Sequence, residues 1–509
     1  MIAFIRHIWG LYRLALNLRR HHAIVALSAI PVMPEILPRL LRATTFFIPR
    51  KSGLPDSPGA RLALALSKMG PAYIKLGQTL ATRPDVIGRP LAEGLLTLQD
   101  NLPPFAWSKA KAIIEGELGE PLDKHFSSFN EQPVAAASIA QVHQAVTIDG
   151  QKVAVKVRRP DITRRFKRDL SLFGWIARIA EKNSAQARRL RLNAVVQTVE
   201  ESTLREMDFR TEAAANAELS ANMEGEHGYR IPKVDFDRTF EKMMTIEWVD
   251  GIRLTDREKL AEAGFDLTLL GERIVQIFLK QAMRDGYFHA DLHQGNLIVE
   301  KDGTIAAIDF GIMGRINKDE QAFLAEILYG FIRRDYIRVA EVHFDAGYVP
   351  RSENLHEFAQ ALKAIADPIM DLPVSEISAG KLLAQLFATT ERFSMQTQPQ
   401  LILLQRSMVM AEGMALHLNP DANMWDISKP VLESWMKNNL SPEIQLADFL
   451  NSLPRLITRL PKTLDKIHRL LDREDTPPTP VIIEQKNSGW LPFGIGLIAG
   501  AVILKILML

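Results

Sequence analysis

Apolar and polar positions change period several times along the chain. Residues 60–120 read as helices, for example Ala60–Met69 and Ser108–Leu118. Between 126 and 157 the period shortens to two. The stretch AVTI-DG-QKVAVKV (145–157) is two alternating runs on either side of Asp149-Gly150, which predicts a hairpin. Residues 160–222 return to helical spacing and are rich in arginine, and strand character reappears at Lys242–Val249. From 267 onward the pattern is helical, broken by LIV (297–299) and TIAAID (304–309). A small strand-bearing lobe followed by a larger helical one is an α+β, two-lobed architecture.

The two ends differ from this pattern. Residues 490–509 (WLPFGIGLIAGAVILKILML) are apolar on every helical face, with Lys505 the only charge, and they follow the Pro-rich stretch 476–480. At ~1.5 Å per residue, ~20 residues span the ~30 Å of a hydrocarbon core, so a transmembrane helix is expected. Trp490 suits one interface and Lys505 the other. Gly496 and Gly500 form a small-xxx-small pair suited to self-association. In residues 1–51, Arg6, Arg13 and Arg20 recur every seven residues, and Ile5, Ile8, Trp9, Tyr12 and Leu16 are assigned to another face. Such a helix suits an anionic membrane surface; the alternative is docking on its own protein with the basic face solvated.

Composition narrows the classes. A chain of 509 residues holds two to four structural units. The net charge of +2 gives no global field for nucleic acid, and the absence of cysteine excludes disulfides, thiolate catalysis and cysteine metal sites.

The candidate chemistry lies in HADLHQGN (289–296), which follows a helix and Gly286 and runs into the strand 297–299. Asp309-Phe310-Gly311 ends the next strand. Phosphoryl transfer requires a carboxylate near the attacking oxygen and hard oxygen ligands for Mg²⁺. Asp291 fits the base, and Asn296 and Asp309 fit the metal ligands, at the spacing of a kinase catalytic loop and metal-binding motif. Alternatively, His289, Asp291 and His293 could clasp Zn²⁺, which leaves Asn296 and Asp309 unexplained. Lys156, on the second hairpin strand, can neutralise the α/β-phosphates of ATP if a carboxylate holds it. Residues 134–142 (Val134, Ala135, Ala136, Ala137, Ser138, Ile139, Ala140, Gln141, Val142) stand where a kinase places its Gly-rich loop. Residues 243–250 (MMTIEWVD), with Glu247 and Val249, fit a hinge whose backbone reads adenine.

Over residues 55–440 the sequence resembles the UbiB/ADCK family of atypical kinases, which support ubiquinone biosynthesis. Four motifs carry the resemblance: KxGQ (Lys75-Leu76-Gly77-Gln78), the Ala-rich loop Ala135-Ala136-Ala137-Ser138, ExD (Glu206-Met207-Asp208), and HxDxHxGN followed by DFG. The resemblance implies a two-lobed protein-kinase-like fold with an N-terminal helical extension and a C-terminal transmembrane helix. It implies that Glu212 pairs with Lys156, with Asp208 and Glu212 sharing a helix face. It also implies that Lys75 and Gln78, with Glu206 and Asp208, occlude the cleft. The expected organisation is a basic membrane-proximal segment (1–52), a KxGQ extension (53–120), an N-lobe with helical insert (121–250), a C-lobe (251–440), a linker (441–488) and a membrane helix (489–509). ATP and Mg²⁺ are the implied cofactors. Anionic lipids, hydrophobic quinone precursors and other ubiquinone-biosynthesis proteins are the implied partners, at the cytoplasmic membrane with the catalytic domain facing the cytoplasm.

Two departures from ordinary kinases matter. Loop 134–140 has no glycine, so left-handed backbone is disfavoured there. After Gly311 no peptide-docking segment is apparent before helical spacing resumes near Lys318. The reaction is therefore expected to be ATP hydrolysis or phosphorylation of an unidentified acceptor. An ATP-gated scaffold and a small-molecule kinase remain as alternatives.

Overall fold

The computed structural model describes residues 2–27, 30, 36–49, 51–81, 84–95, 98, 102–184, 187–188, 191–370, 389, 392–395 and 399–439. The expected transmembrane helix at 489–509, its Gly496/Gly500 pair and the linker 441–488 lie outside these residues. Among the described residues no helix is long and apolar enough to cross a membrane. The chain divides into two compact units. One holds residues up to Ala213 together with Val234–Trp248, and the other holds Ala214–Lys233 and the described chain from Val249.

In the first unit the alternating run becomes an antiparallel sheet. Strands are numbered along the chain: β1 (Phe126–Phe129), β2 (Ala135–Ala136), β3 (Ala140–Thr147), β4 (Lys152–Arg158), β6 (Val234–Asp235) and β7 (Met243–Glu247). Their order is β1-β3-β4-β7-β6, with β2 on β3. The β3–β4 turn contains Gly150 at φ +83°, a conformation that glycine adopts without strain. On β4 the period of two sends Val153, Val155 and Val157 into a core with Ala110 and Ile114 of the Trp107–Leu118 helix. That helix therefore packs on the sheet. On the other side of the sheet Met244 packs with Phe209 and Ala213.

The same unit has a second, helical core. Leu62 and Leu66 of the Pro58–Met69 helix and Tyr73 of the Pro71–Ala81 helix meet Leu91 and Leu95, and also Phe166, Phe173 and Val199 of the long helices Ile162–Asn183 and Leu192–Glu206. Gly77 of KxGQ lies at a close approach: a Cβ there would stand 2.4 Å from Leu98 Cδ1 and 2.9 Å from Leu66 Cδ1. The N-terminal helix Ile2–Arg20 docks on this core through Ala15 and Leu18, and His7 Nε2 lies 3.1 Å from Ser171 Oγ. On its other apolar face Ile5 is 60% and Trp9 55% exposed, while Ile8, Tyr12 and Leu16 are half-buried.

In the second unit β5 (Tyr229–Arg230), β8 (Gly251–Arg253), β10 (Leu297–Glu300) and β11 (Ile305–Ala307) form a sheet in the order β5-β11-β10-β8. A separate pair joins β9 (Tyr287–His289) to β12 (Met313–Arg315). Helices Leu267–Leu279, Lys318–Arg333, Pro399–Leu418 and Met424–Asn439 enclose a core that includes Phe278, Phe288, Leu297 and Phe310. Residues 214–233 belong here because Leu219, Met223, Tyr229 and Ile231 are part of that core. Only residues 312–317 separate the DFG glycine from the Lys318–Arg333 helix, whose start is fixed by a reciprocal Asn317–Glu320 capping box.

Candidate active site

The first unit carries the residues that the sequence assigned to the phosphates. Lys156 sits mid-strand, opposite Val142 on β3 and Met244 on β7. Its ammonium donates to both carboxylate oxygens of Glu212, at 2.7 Å and 2.9 Å, and lies 5.4 Å from the centre of the Phe209 ring. Glu212 is in the first turn of the Phe209–Asn222 helix, where the helix dipole favours an anion. The lysine side chain is 21% exposed and the glutamate 8%. The cation is therefore held, yet still reachable.

The Ala-rich loop is a β-hairpin. Ala135 faces Val142, Ala136 faces Gln141, and the Ala137 amide donates to the Ala140 carbonyl at 2.8 Å. No residue from 134 to 142 takes a positive φ, so alanine is accommodated without strain. Val134, Ala135 and Ala137 are exposed, whereas Ser138, Ile139, Ala140 and Gln141 are buried. The Gln141 side chain is structural: Oε1 accepts from the Phe105 amide at 2.9 Å, and Nε2 lies 2.9 Å from His143 Nε2. The expected hinge follows β7; the chain leaves the first unit after Trp248, so Glu247 and Val249 flank the crossing.

The KxGQ and ExD motifs meet. Lys75 Nζ lies 2.6 Å from Glu206 Oε2, with both side chains about nine-tenths buried at 12% and 10% exposure. Gln78 stands three residues further along the Lys75 helix and is partly buried. Glu206 ends one helix and Asp208 precedes the next, so Asp208 does not share a helix face with Glu212. The helical spacing breaks at Met207. There Asp208 accepts from the Arg210 amide at 3.1 Å and pairs with the Arg210 guanidinium, which holds its carboxyl below the usual range. Arg158, two residues beyond Lys156, ties this segment to the sheet by donating to the Met207 carbonyl and to Glu241.

The second unit carries the residues that the sequence assigned to the metal and to the acceptor. His289 is fully buried. Its Nδ1 accepts from the Asp291 amide at 3.1 Å, and its Nε2 donates to the Asp309 carbonyl. Both nitrogens are thus engaged in a neutral ring, in line with the downward pKa shift that burial causes. This removes His289 as a Zn²⁺ ligand, and among the described residues no cluster of three or more His, Asp or Glu is placed to hold a metal by itself. Asn296 Nδ2 donates to the Asp291 carbonyl at 3.4 Å, and the Asn296 carbonyl accepts from Ile308 at 3.0 Å. The β10–β11 hairpin thereby brings Asn296 level with the residue before Asp309. Asp309 Oδ1 accepts from the Gly311 amide at 3.0 Å. An amide oxygen and a carboxylate on one hairpin are hard donors of the kind that Mg²⁺ takes.

Two residues of this unit escaped the motif reading. Arg406 of the Pro399–Leu418 helix donates to Asp291 Oδ1 at 3.1 Å. Gln281, in a π-helical turn at Lys280–Asp285, accepts from the His289 amide at 3.1 Å and lies 3.3 Å from the Tyr229 hydroxyl. Neither falls within a motif; Arg406 lies 115 residues from Asp291, and Gln281 lies 52 residues from Tyr229 though only eight from His289.

Comparison with known proteins follows this geometry. Residues 97–343 match the ABC1 atypical kinase-like domain, and residues 362–423 match the UbiB helical domain, which contains Arg406. A probable protein kinase UbiB from Azotobacter vinelandii is 39% identical over 447 residues, covering 85% of this chain and 83% of the relative. One from Pseudomonas fluorescens SBW25 is 36% identical over 511 residues, 99% of this chain and 94% of the relative. The solved complex of Rv3197 with erythromycin from Mycobacterium tuberculosis aligns at 23% identity and a TM-score of 0.49, covering 72% of this chain and 93% of that one.

Proposed function

The chain belongs to the UbiB family of atypical kinases, and from that membership we propose that it binds Mg-ATP, turns it over, and supports ubiquinone biosynthesis at a membrane. The observation that carries the reading is the two-bond Lys156–Glu212 pair, which holds a cation on the middle of a sheet where an α/β-phosphate needs one. The exposed part of loop 134–142 covers the phosphates, and the backbone at Glu247 and Val249 takes the adenine. Asn296 and Asp309 hold Mg²⁺, and Asp291 is the base toward the attacking oxygen. Mg²⁺, when bound, supplies charge neutralisation of the phosphates. Lys75, Gln78, Glu206 and Asp208 restrict the acceptor.

Only residues 312–317 separate Gly311 from the next helix. This leaves no length for a peptide-docking segment and favours hydrolysis or a small acceptor over phosphorylation of other proteins. Purified full-length chain should release phosphate from Mg-ATP, and Asp291→Asn should abolish the release. Nucleotide binding with no Asp291-dependent release would replace the enzyme by an ATP-gated scaffold of biosynthetic proteins.

Membrane attachment is part of the same proposal. The segment 489–509 is the anchor in the cytoplasmic membrane, Gly496 and Gly500 suit pairing with a second copy, and hydrophobic quinone precursors are the ligands to which the site answers. The exposed Ile5 and Trp9 of the N-terminal helix, with its arginines, suit an anionic bilayer surface.

A further inference from the structure

Arg6, Trp9 and Arg13 fall on one stripe of the N-terminal helix, because steps of three and seven residues nearly close whole turns. The arginine and aromatic faces read separately from the sequence therefore merge at Trp9. In the first unit this stripe lines a cavity of about 240 Å³ together with Tyr73 of the Lys75 helix and the pair Arg168–Asp169 of the Ile162–Asn183 helix, floored by Leu172.

The charges in this cavity are not balanced. The Asp169 carboxylate is engaged by Arg168 at 3.0 Å. Arg6 and Arg13 have no ion-pair partner among the described residues, and no other carboxylate lines the cavity. Tyr73 is 3% exposed, and its hydroxyl makes no hydrogen bond among the described residues. Burial, ahead of the Asp169 charge, pushes the Tyr73 pKa up to about 12, so at neutral pH the group is an O–H donor. Two uncompensated guanidinium groups and one donor hydroxyl around a small cavity match an oxyanion. Trp9 of the cavity wall is 55% exposed, and Ile5 of the same helix is 60% exposed, so the apolar part of an occupant has an apolar surface to continue onto.

We infer that this cavity is an oxyanion site that takes the phosphate of an anionic phospholipid headgroup. The inference deepens the proposed membrane attachment by naming a specific pocket for it, and it is independent of ATP turnover. Tyr73 stands two residues before Lys75, so an occupant here ligates the helix that carries the Lys75–Glu206 pair.

The test uses full-length protein in non-ionic detergent, with soluble short-chain lipids so that the apolar C-terminal segment does not dominate the signal. Thermal stabilisation is titrated with dihexanoyl-phosphatidylglycerol, dihexanoyl-phosphatidylcholine and inorganic phosphate at matched ionic strength. The expected result is a saturable shift with phosphatidylglycerol and binding at least about tenfold weaker with phosphatidylcholine, whose cation meets the arginines. Arg13→Gln and Tyr73→Phe should each weaken the phosphatidylglycerol response about five- to tenfold, while the shift given by Mg-ATP stays as in wild type. A saturable response to inorganic phosphate as strong as that to phosphatidylglycerol would overturn the lipid source. Equal responses in wild type and both variants would overturn the site and leave general membrane attachment standing. No response of the wild type to any of the three would overturn it as well.

Discussion

The Arg406 guanidinium donates a hydrogen bond to the Asp291 carboxylate, Nη2 to Oδ1 at 3.1 Å, so the helical segment after the kinase-like domain reaches the catalytic loop. HADLHQGN contains no arginine or lysine, and Arg406 brings a cation from 115 positions downstream to the group proposed as base. Replacing it with glutamine should leave Mg-ATP stabilisation within about twofold, because Asn296 and Asp309 are untouched, and should cut phosphate release roughly tenfold or more. Arg406→Lys, which keeps the charge but loses the fixed fork, should recover part of that rate. Equal turnover in all three proteins would mean that the ion pair only fastens the helix.

At the metal site the expectation is a loss of binding. An anion holds Mg²⁺ more strongly than an amide does, so Asp309→Asn should remove the Mg-ATP-dependent rise in melting temperature and Asn296→Ala should reduce it. The Asp309 carboxylate also fixes the Gly311 amide, so the melting temperature without nucleotide must be measured in parallel. Undiminished stabilisation in Asp309→Asn would sink the metal assignment.

How far these contacts could be read in advance depended on distance along the chain. The β3–β4 hairpin was legible because its period of two and its Asp-Gly turn are local, and the catalytic loop and DFG lie within about twenty residues of each other. Lys156 and Glu212 are 56 residues apart, and only family resemblance joined them. Arg406, Gln281 and Arg158 had no such help, because a buried polar contact across separate elements leaves no periodic signal. Asp208 was misplaced for the opposite reason. Helical spacing was carried through Met207, where the chain ends one helix and caps the next with a carboxylate.

Removing the carboxylate that holds Lys156 should cost stability as well as binding. Glu212→Ala leaves an ammonium with 21% of its side chain exposed and without its two charged hydrogen bonds, a loss of about 2 kcal/mol. Glu212→Gln keeps one acceptor and should cost less. Chemical denaturation of the two variants measures the difference, and equal stability of Glu212→Ala and wild type would contradict the buried-pair reading.

Acid should destabilise the fold through histidines that are buried neutral. Desolvation lowers the pKa of His143, His289 and His343 below the ordinary imidazole value of about 6.5. The unfolded chain then binds more protons than the folded one wherever pH lies below that ordinary value and above the folded values. The stability these groups contribute is therefore complete above about pH 6.5 and is lost as pH falls through the lowered folded pKa values. Melting temperature should drop between pH 7 and 5, and His343→Gln should drop less over that interval. A slope identical to wild type in that variant would remove His343 from the account.

Lys75 and Glu206 invite a different experiment, because their pairing and their absence have opposite consequences. With both side chains about nine-tenths buried, each charge loses most of its water and gains the opposite charge beside it. Lys75→Met removes the cation 2.6 Å from a buried carboxylate, and Glu206→Leu removes the anion beside a buried ammonium, so each single variant should lose about 3 kcal/mol. The double variant Lys75→Met/Glu206→Leu removes both charges together and replaces the pair with apolar groups of similar length. It should recover most of that stability, with an interaction energy of about 2 kcal/mol from the cycle. Function should not recover alongside it. If the pair occupies acceptor space as proposed, the stable double variant should show altered nucleotide affinity or incorporate labelled phosphate into itself, which the wild type should not do. Recovery of stability with unchanged nucleotide handling would make the motif a structural fastening. Additive losses would mean that the two charges are solvated independently and that the short contact carries little energy.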